Sequence, residues 1–103
     1  MSSPAAISKG FYLWGGNNLW AKLCGVDEKD LPGMGIEKIF HSDSLEIIIA
    51  DIKKRTLGDP SLNTSYRTFF KNNEKGKIAV HISVYGLNDP SEALLFLAEP
   101  ENG

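Results

Sequence analysis

The side chains best suited to chemistry in this chain are His81, Arg67 and Tyr85, which strand alternation would set on one face. An imidazole beside a guanidinium can move a proton while the cation stabilises charge developing on a phosphodiester. Lys71 and Lys77 share that face, so Arg67, Lys71 and Lys77 form a candidate anion-binding row. A plain solvated strand carries the same composition, and it is the favoured reading; no catalytic residue is assigned and the chain leans away from being an enzyme. His41, between Phe40 and Ser42 at the start of a helical pattern, reads as a capping or surface residue. Two histidines far apart and a single cysteine, Cys24, offer no metal-ligand spacing. Gly15-Gly16 and Leu31-Pro32-Gly33 lack the spacing of a phosphate-cradling loop. No metal and no cofactor are expected.

These side chains depend on a β-hairpin over about 65–71 and 77–85. Ile78, Val80, Ile82 and Val84 fall on one face of its second strand. The polar run 72–76 reverses the chain. Pairing Phe70 with Ala79 would place Arg67 and Lys71 beside the aliphatic row, and burying two cations is too costly. Pairing Arg67 with His81, Phe69 with Ala79 and Lys71 with Lys77 avoids this. A slip of one residue would invert every side chain, so this register is predicted. The like-charged Lys71 and Lys77 would be relieved by solvent or by a bulge at Gly76.

Other elements follow from caps and periodicity. Residues 6–14 hold one strand, stopped by a flexible Gly15-Gly16 hinge. Asn17 or Asn18 caps a helix over 18–24, ended by Gly25. Residues 26–35 read as an exposed loop and 36–40 as a short strand. Over 43–57, three successive isoleucines favour a strand. Asp43 with Glu46, the spacing of Leu45, Ile48, Ile49 and Ile52, the basic end, Gly58 and Pro60 favour a helix, which is the reading adopted. Asn88 or Asp89 followed by Pro90 predicts a third helix over 90–98. The expected fold is a small α+β domain spanning 1–103, with helices packed on one sheet face and flexible tails at 1–5 and 99–103.

The 103 residues suffice for one modest core, and the formal charge of −2 argues against a general nucleic-acid binder. The lone cysteine excludes an internal disulfide, and no apolar run approaches a membrane span. The opening residues show no export signal, so a cytoplasmic protein is expected. A basic middle sits in an acidic frame. Asp27, Glu28 and Asp30, with Trp14 and Trp20, are therefore the candidate partner-binding residues.

Residues 15–25 (GGNNLWAKLCG) resemble the glycine–asparagine–leucine turn into the first helix of barstar-type ribonuclease inhibitors, over about a tenth of the chain. Residues 65–86 resemble the strand pair of messenger-cleaving toxins, which would put Arg67 and His81 on functional strands; those toxins, unlike this chain, are strongly basic and open with two helices. The expectation is a protein-interaction protein of inhibitor or immunity type that neutralises a basic enzyme. An RNA-binding or RNA-cleaving domain is the alternative. Homodimerisation by edge pairing of the first strand is a third possibility.

Overall fold

The computed structural model describes residues 3–57, 63–72, 74–87 and 93–101. Its strands are β1 (Ala5–Lys9), β2 (Tyr12–Gly16), β3 (Asn63–Asn72), β4 (Gly76–Gly86) and β5 (Ala93–Pro100). Its helices are α1 (Asn18–Cys24) and α2 (Ser42–Leu57), with single 3-10 turns at Glu28–Asp30 and Ile36–Lys38. The strands form one antiparallel sheet in the order β2-β1-β5-β4-β3, and the helices pack on one face of it. The class is α+β.

Parity sets the β3–β4 pairing. Arg67 lies opposite His81, Phe69 opposite Ala79 and Lys71 opposite Lys77. Phe70, Val80, Ile82 and Val84 are fully buried. The two lysines are reconciled by acceptors from elsewhere rather than by a bulge. Lys71 donates to the Glu37 carbonyl at 2.7 Å, and Lys77 to the Asp43 carboxylate at 2.9 Å.

The Asn17 side chain accepts from the Trp20 amide at 2.9 Å and from the Ala5 amide at 3.1 Å, capping α1 and tying it to β1. Gly25 ends α1 at φ +73°. His41 opens α2. Its carbonyl accepts from the Ser44 and Leu45 amides, and its Nδ1 accepts from the Asp43 amide at 3.2 Å. The start of α2 therefore rests on His41, while Asp43 turns to Lys77, whose hydrogen bond holds that carboxyl below its usual range. Ile48 and Ile52 are buried and Ile47 is 48% exposed, the pattern of a helix against a sheet.

Several sequence expectations are corrected. The helix expected over 90–98 is not formed, because residues 93–100 are strand β5, paired with β1 and β4. As the middle strand its apolar residues run continuously, and periodicity cannot separate that from a buried helix. The proposed caps at 88–90, like Gly58 and Pro60, lie outside the described residues. The strand expected over 6–14 is a hairpin, turning at Gly10 with φ +60°. Gly15 and Gly16 are strand residues paired with Ile7 and Ala6, not a hinge. The segment 36–40 makes a 3-10 turn whose Phe40 bridges to Phe70, and Leu31 in the supposed exposed loop is fully buried. Ala5, Glu99 and Pro100, assigned to tails, lie in strands.

Four rings centre the core. Trp20 meets Phe70 and Phe96 with centroids 4.9 and 6.0 Å apart, and Phe40 meets the same two at 5.1 and 6.1 Å. The sheet edges are partly covered by the intervening chain. Leu13 exchanges hydrogen bonds with Met34 and Gly33, and on β3 Phe69 and Lys71 bond to His41 and Ile39. Of the segment 6–14 expected to pair at an edge, β1 is paired on both sides and β2 is the outer strand, where Leu13 bonds to Met34 and Gly33 and Tyr12 bridges to Gly35.

Candidate functional site

With the helices packed on one face, the other face of the sheet is left open by the described elements. Alternation fixes what stands there. β1 presents Ala5, Ile7 and Lys9; β5 presents Leu95 and Leu97; β4 presents Tyr85. Register aligns Ile7, Leu95 and Tyr85 in one row across three strands. Trp14 extends this row onto β2. It is the extra residue of a β-bulge, since Ser8 pairs with Leu13 while Ile7 pairs with Gly15. Alternation along β2 sends Leu13 into the core and leaves Trp14 48% exposed, and the bulge sets Gly15, opposite Ile7, on the outer side as well. Ile7 and Tyr85 are 37% and 36% exposed. Beside Trp14, Gly15 carries no side chain, and a groove of about 420 Å³ opens between Ile7, Trp14 and Leu95. A Cβ added at Gly15 would meet nothing within 4 Å. Lys9 lies over the Trp14 ring, 5.4 Å from its centroid.

The far half of the same face is polar, and its cations are already engaged. Arg67 donates to both carboxylate oxygens of Glu101, at 2.9 and 3.0 Å. Arg67 and Lys77 flank the Phe69 ring at 5.0 and 4.7 Å. With Lys71 on Glu37 and Lys77 on Asp43, the candidate anion-binding row is a set of intramolecular pairs. His81 Nε2 lies 2.6 Å from the Ser65 hydroxyl, on an exposed strand with Glu99 opposite on β5. Tyr85 stands four residues along β4 from His81, about 13 Å at strand rise. The alternative catalytic set of His81, Arg67 and Tyr85 thus shares a face without converging on a point.

The expected partner-binding residues separate into three places. Trp14 is on the outer sheet face. Trp20 is fully buried in the aromatic core and cannot reach a partner. Asp27, Glu28 and Asp30 are exposed at the turn after α1, where Asp27 and Asp30 border an open groove with Lys22 and Glu74. Leu95 and Ile7, which complete the apolar patch, were missed by sequence reading. The usable signal was Trp14-Gly15-Gly16, because glycine inside a strand marks a bulge or a close approach.

Behind the polar face, Arg55 is 4% exposed. Its Nε donates to Asp51 at 2.9 Å and its Nη2 to the Thr64 hydroxyl at 2.8 Å, binding the end of α2 to β3. The Tyr66 phenol beside this pair is pushed up by burial first and by the Asp51 carboxylate second. The Cys24 thiol is pushed up to about 12 by burial, the opposite of an activated nucleophile. Among the described residues no helix is long and apolar enough to cross a membrane, and no cluster of three potential metal ligands occurs.

A sheet of order β2-β1-β5-β4-β3, with its helical segments inserted between β2 and β3, decides the comparison with known structures. The fold is that of the PAS domains. The PAS domain of the Cronobacter turicensis RpfR quorum-sensing receptor, in complex with C12:0, superimposes with a TM-score of 0.82 at 10% identity, covering 99% of this chain and 96% of that one. The Drosophila melanogaster Cycle PAS-B domain with bound glycerol gives 0.78 at 10% identity, covering 95% and 99%. The ethanol-bound PAS domain of a LuxR-family transcriptional regulator from Burkholderia thailandensis gives 0.74 at 18% identity, covering 95% and 88%. No family model matches the chain, and no curated protein matches its sequence. The inhibitor or immunity reading and the RNA-binding or RNA-cleaving alternative are overturned by this result. Structures sharing the fold are PAS domains of sensors and regulators, and the resemblances at 15–25 and 65–86 were local.

Proposed function

We propose that this PAS-fold chain is a sensory or signal-relay domain that works by associating with a protein partner through the outer face of its sheet. One observation carries the reading: Trp14, Ile7, Leu95 and Tyr85 form a continuous apolar patch over four strands, on the face opposite the helices. An exposed patch of this kind, rimmed by charge, is the usual mark of an interaction surface. The interior supports association as the mode of action, because the space under α1 is filled by Trp20 against Phe70 and Phe96. Asp27, Glu28 and Asp30 lie at the α1 turn, away from this patch, and have no part in it.

The test is positional. A photo-crosslinking amino acid at position 85, introduced in cells, should trap a protein partner. The same group at position 46, exposed on α2, should not. Equal trapping from both positions, or none from position 85, removes the sheet face from the account.

A further inference from the structure

We infer that the open edge of β3 takes an extended acidic segment of a partner protein, which adds to the sheet as a further antiparallel strand beside β3. This surface is separate from the apolar patch on the outer face and does not depend on it.

β3 is an outer strand, so one side of its main chain faces away from β4. The odd-numbered residues point that way. The Phe69 amide donates to the Ser44 hydroxyl at 2.8 Å, and the Lys71 amide donates to the Ile39 carbonyl at 2.7 Å. The Phe69 carbonyl accepts from the His41 amide at 2.8 Å. The register runs unbroken from Asn63 to Asn72, so the N–H and C=O groups of Ser65 and Arg67 face outward as well. Among the described residues nothing pairs with them. A row of unpaired main-chain groups at a sheet edge is a template for another strand. The far half of this edge already accepts one in antiparallel sense, since Phe40 bridges to Phe70. Helix α2 adds a wall and a charge. Its Leu45 and Ile49 pack on the core, and helical spacing puts Asp43, Ile47 and Lys54 on the opposite flank. That flank overhangs β3, because Asp43 bonds to Lys77 beside the Phe69 ring. Farther along it Ile47 is half exposed, and Lys54 is exposed with no ion pair among the described residues. The last turn of α2 lies against the start of β3, where Arg55 meets Thr64. An incoming strand therefore meets main-chain partners, an aliphatic contact at Ile47 and a cation at Lys54. A segment alternating acidic and apolar residues matches all three.

Titration of the unaltered chain with a short labelled peptide of alternating glutamate and valine, read by fluorescence anisotropy at low salt, tests this. The peptide should bind, and amide hydrogen exchange should slow at Ser65 and Arg67. The same peptide methylated on its amide nitrogens should not bind. A lysine–valine peptide should bind about tenfold more weakly or worse. Ser65→Pro removes an edge N–H without touching a bond to β4, so it should weaken binding about tenfold while the melting temperature holds. Lys54→Glu should weaken the glutamate peptide and strengthen the lysine one. Absence of binding overturns the inference, and so does protection that appears away from Ser65 and Arg67. A methylated peptide that binds equally removes strand addition as the mode. Equal binding of the two charge types removes the acidic class of partner. Protection of Ser65 and Arg67 that grows with protein concentration, without peptide, makes a second copy the occupant and overturns the partner segment. The exchange measurement uses the unaltered chain, so it decides the matter even if Ser65→Pro fails to fold. Crosslinking from position 85 reads the other surface, so either proposal can fail while the other stands.

Discussion

Trp20 and Trp14, six residues apart, show how far one residue type can diverge within this fold. Trp20 stands on the inward side of α1 between Phe70 and Phe96, and Trp14 stands on the opposite face of the sheet because it follows inward-facing Leu13 along β2. Truncating the first should be felt in stability: Trp20→Ala leaves a large hole in a closely packed ring cluster and should cost about 3–5 kcal/mol in denaturant unfolding. A loss under about 1 kcal/mol would mean that the ring is not a core element. Sequence reading weighed both tryptophans as partner contacts or core, and composition alone could not separate them. Cys24, a lone cysteine on a short helix, is buried and serves as a small apolar group.

At the scale of elements, the segments with strong local instructions are those that match expectation. The helix over 43–57 keeps its period against three successive isoleucines, because Ile48 and Ile52 reach the sheet while Ile47 faces out. Helix α1 is fixed by Asn17, whose side chain serves the Trp20 amide and the Ala5 amide together. Asn17→Ala should therefore lose both a cap and a tether to β1, costing about 1–2 kcal/mol. Asn18→Ala, one residue later and inside the helix, should be near neutral; equal effects would mean that the cap had been misassigned. β5 lies at the other extreme. Its residues carry no alternation because both faces are covered or half-covered, and a proline-led apolar run imitates a helix until its neighbours are known.

For the whole molecule, two buried groups set the response to alkali. The Cys24 thiol is raised to about 12, and the Tyr66 phenol is raised as well, both chiefly by burial. Each binds its proton more tightly folded than unfolded, so their contribution is fully present below the ordinary thiol pKa of about 8.5. It is lost as pH climbs from there towards the folded values. The melting temperature should hold steady near neutrality and fall progressively above about pH 9, and Cys24→Ala should flatten the first part of that fall. In parallel, an alkylating reagent at pH 8 should modify Cys24 slowly in the native protein and quickly in denaturant. Rapid native alkylation would contradict the burial on which this rests.

What the residues determined by themselves were the relations that depend on period and parity: the β3–β4 register, the inward aliphatic row, the helical face of α2 and the caps around α1. These are local, because a strand slipped by one residue or a helix turned by a third of a turn would bury charge, and no distant contact could offset that. Tertiary structure decided the rest. Parity sets Lys71 opposite Lys77, but the acceptors each lysine takes, the Glu37 carbonyl and the Asp43 carboxylate, come from elsewhere in the chain. β5 became a strand because β1 and β4 each had an edge to satisfy. Ile7, Trp14, Leu95 and Tyr85 became one surface only once four strands lay side by side, and adjacency between strands distant in sequence is set by packing rather than by any residue's own preference.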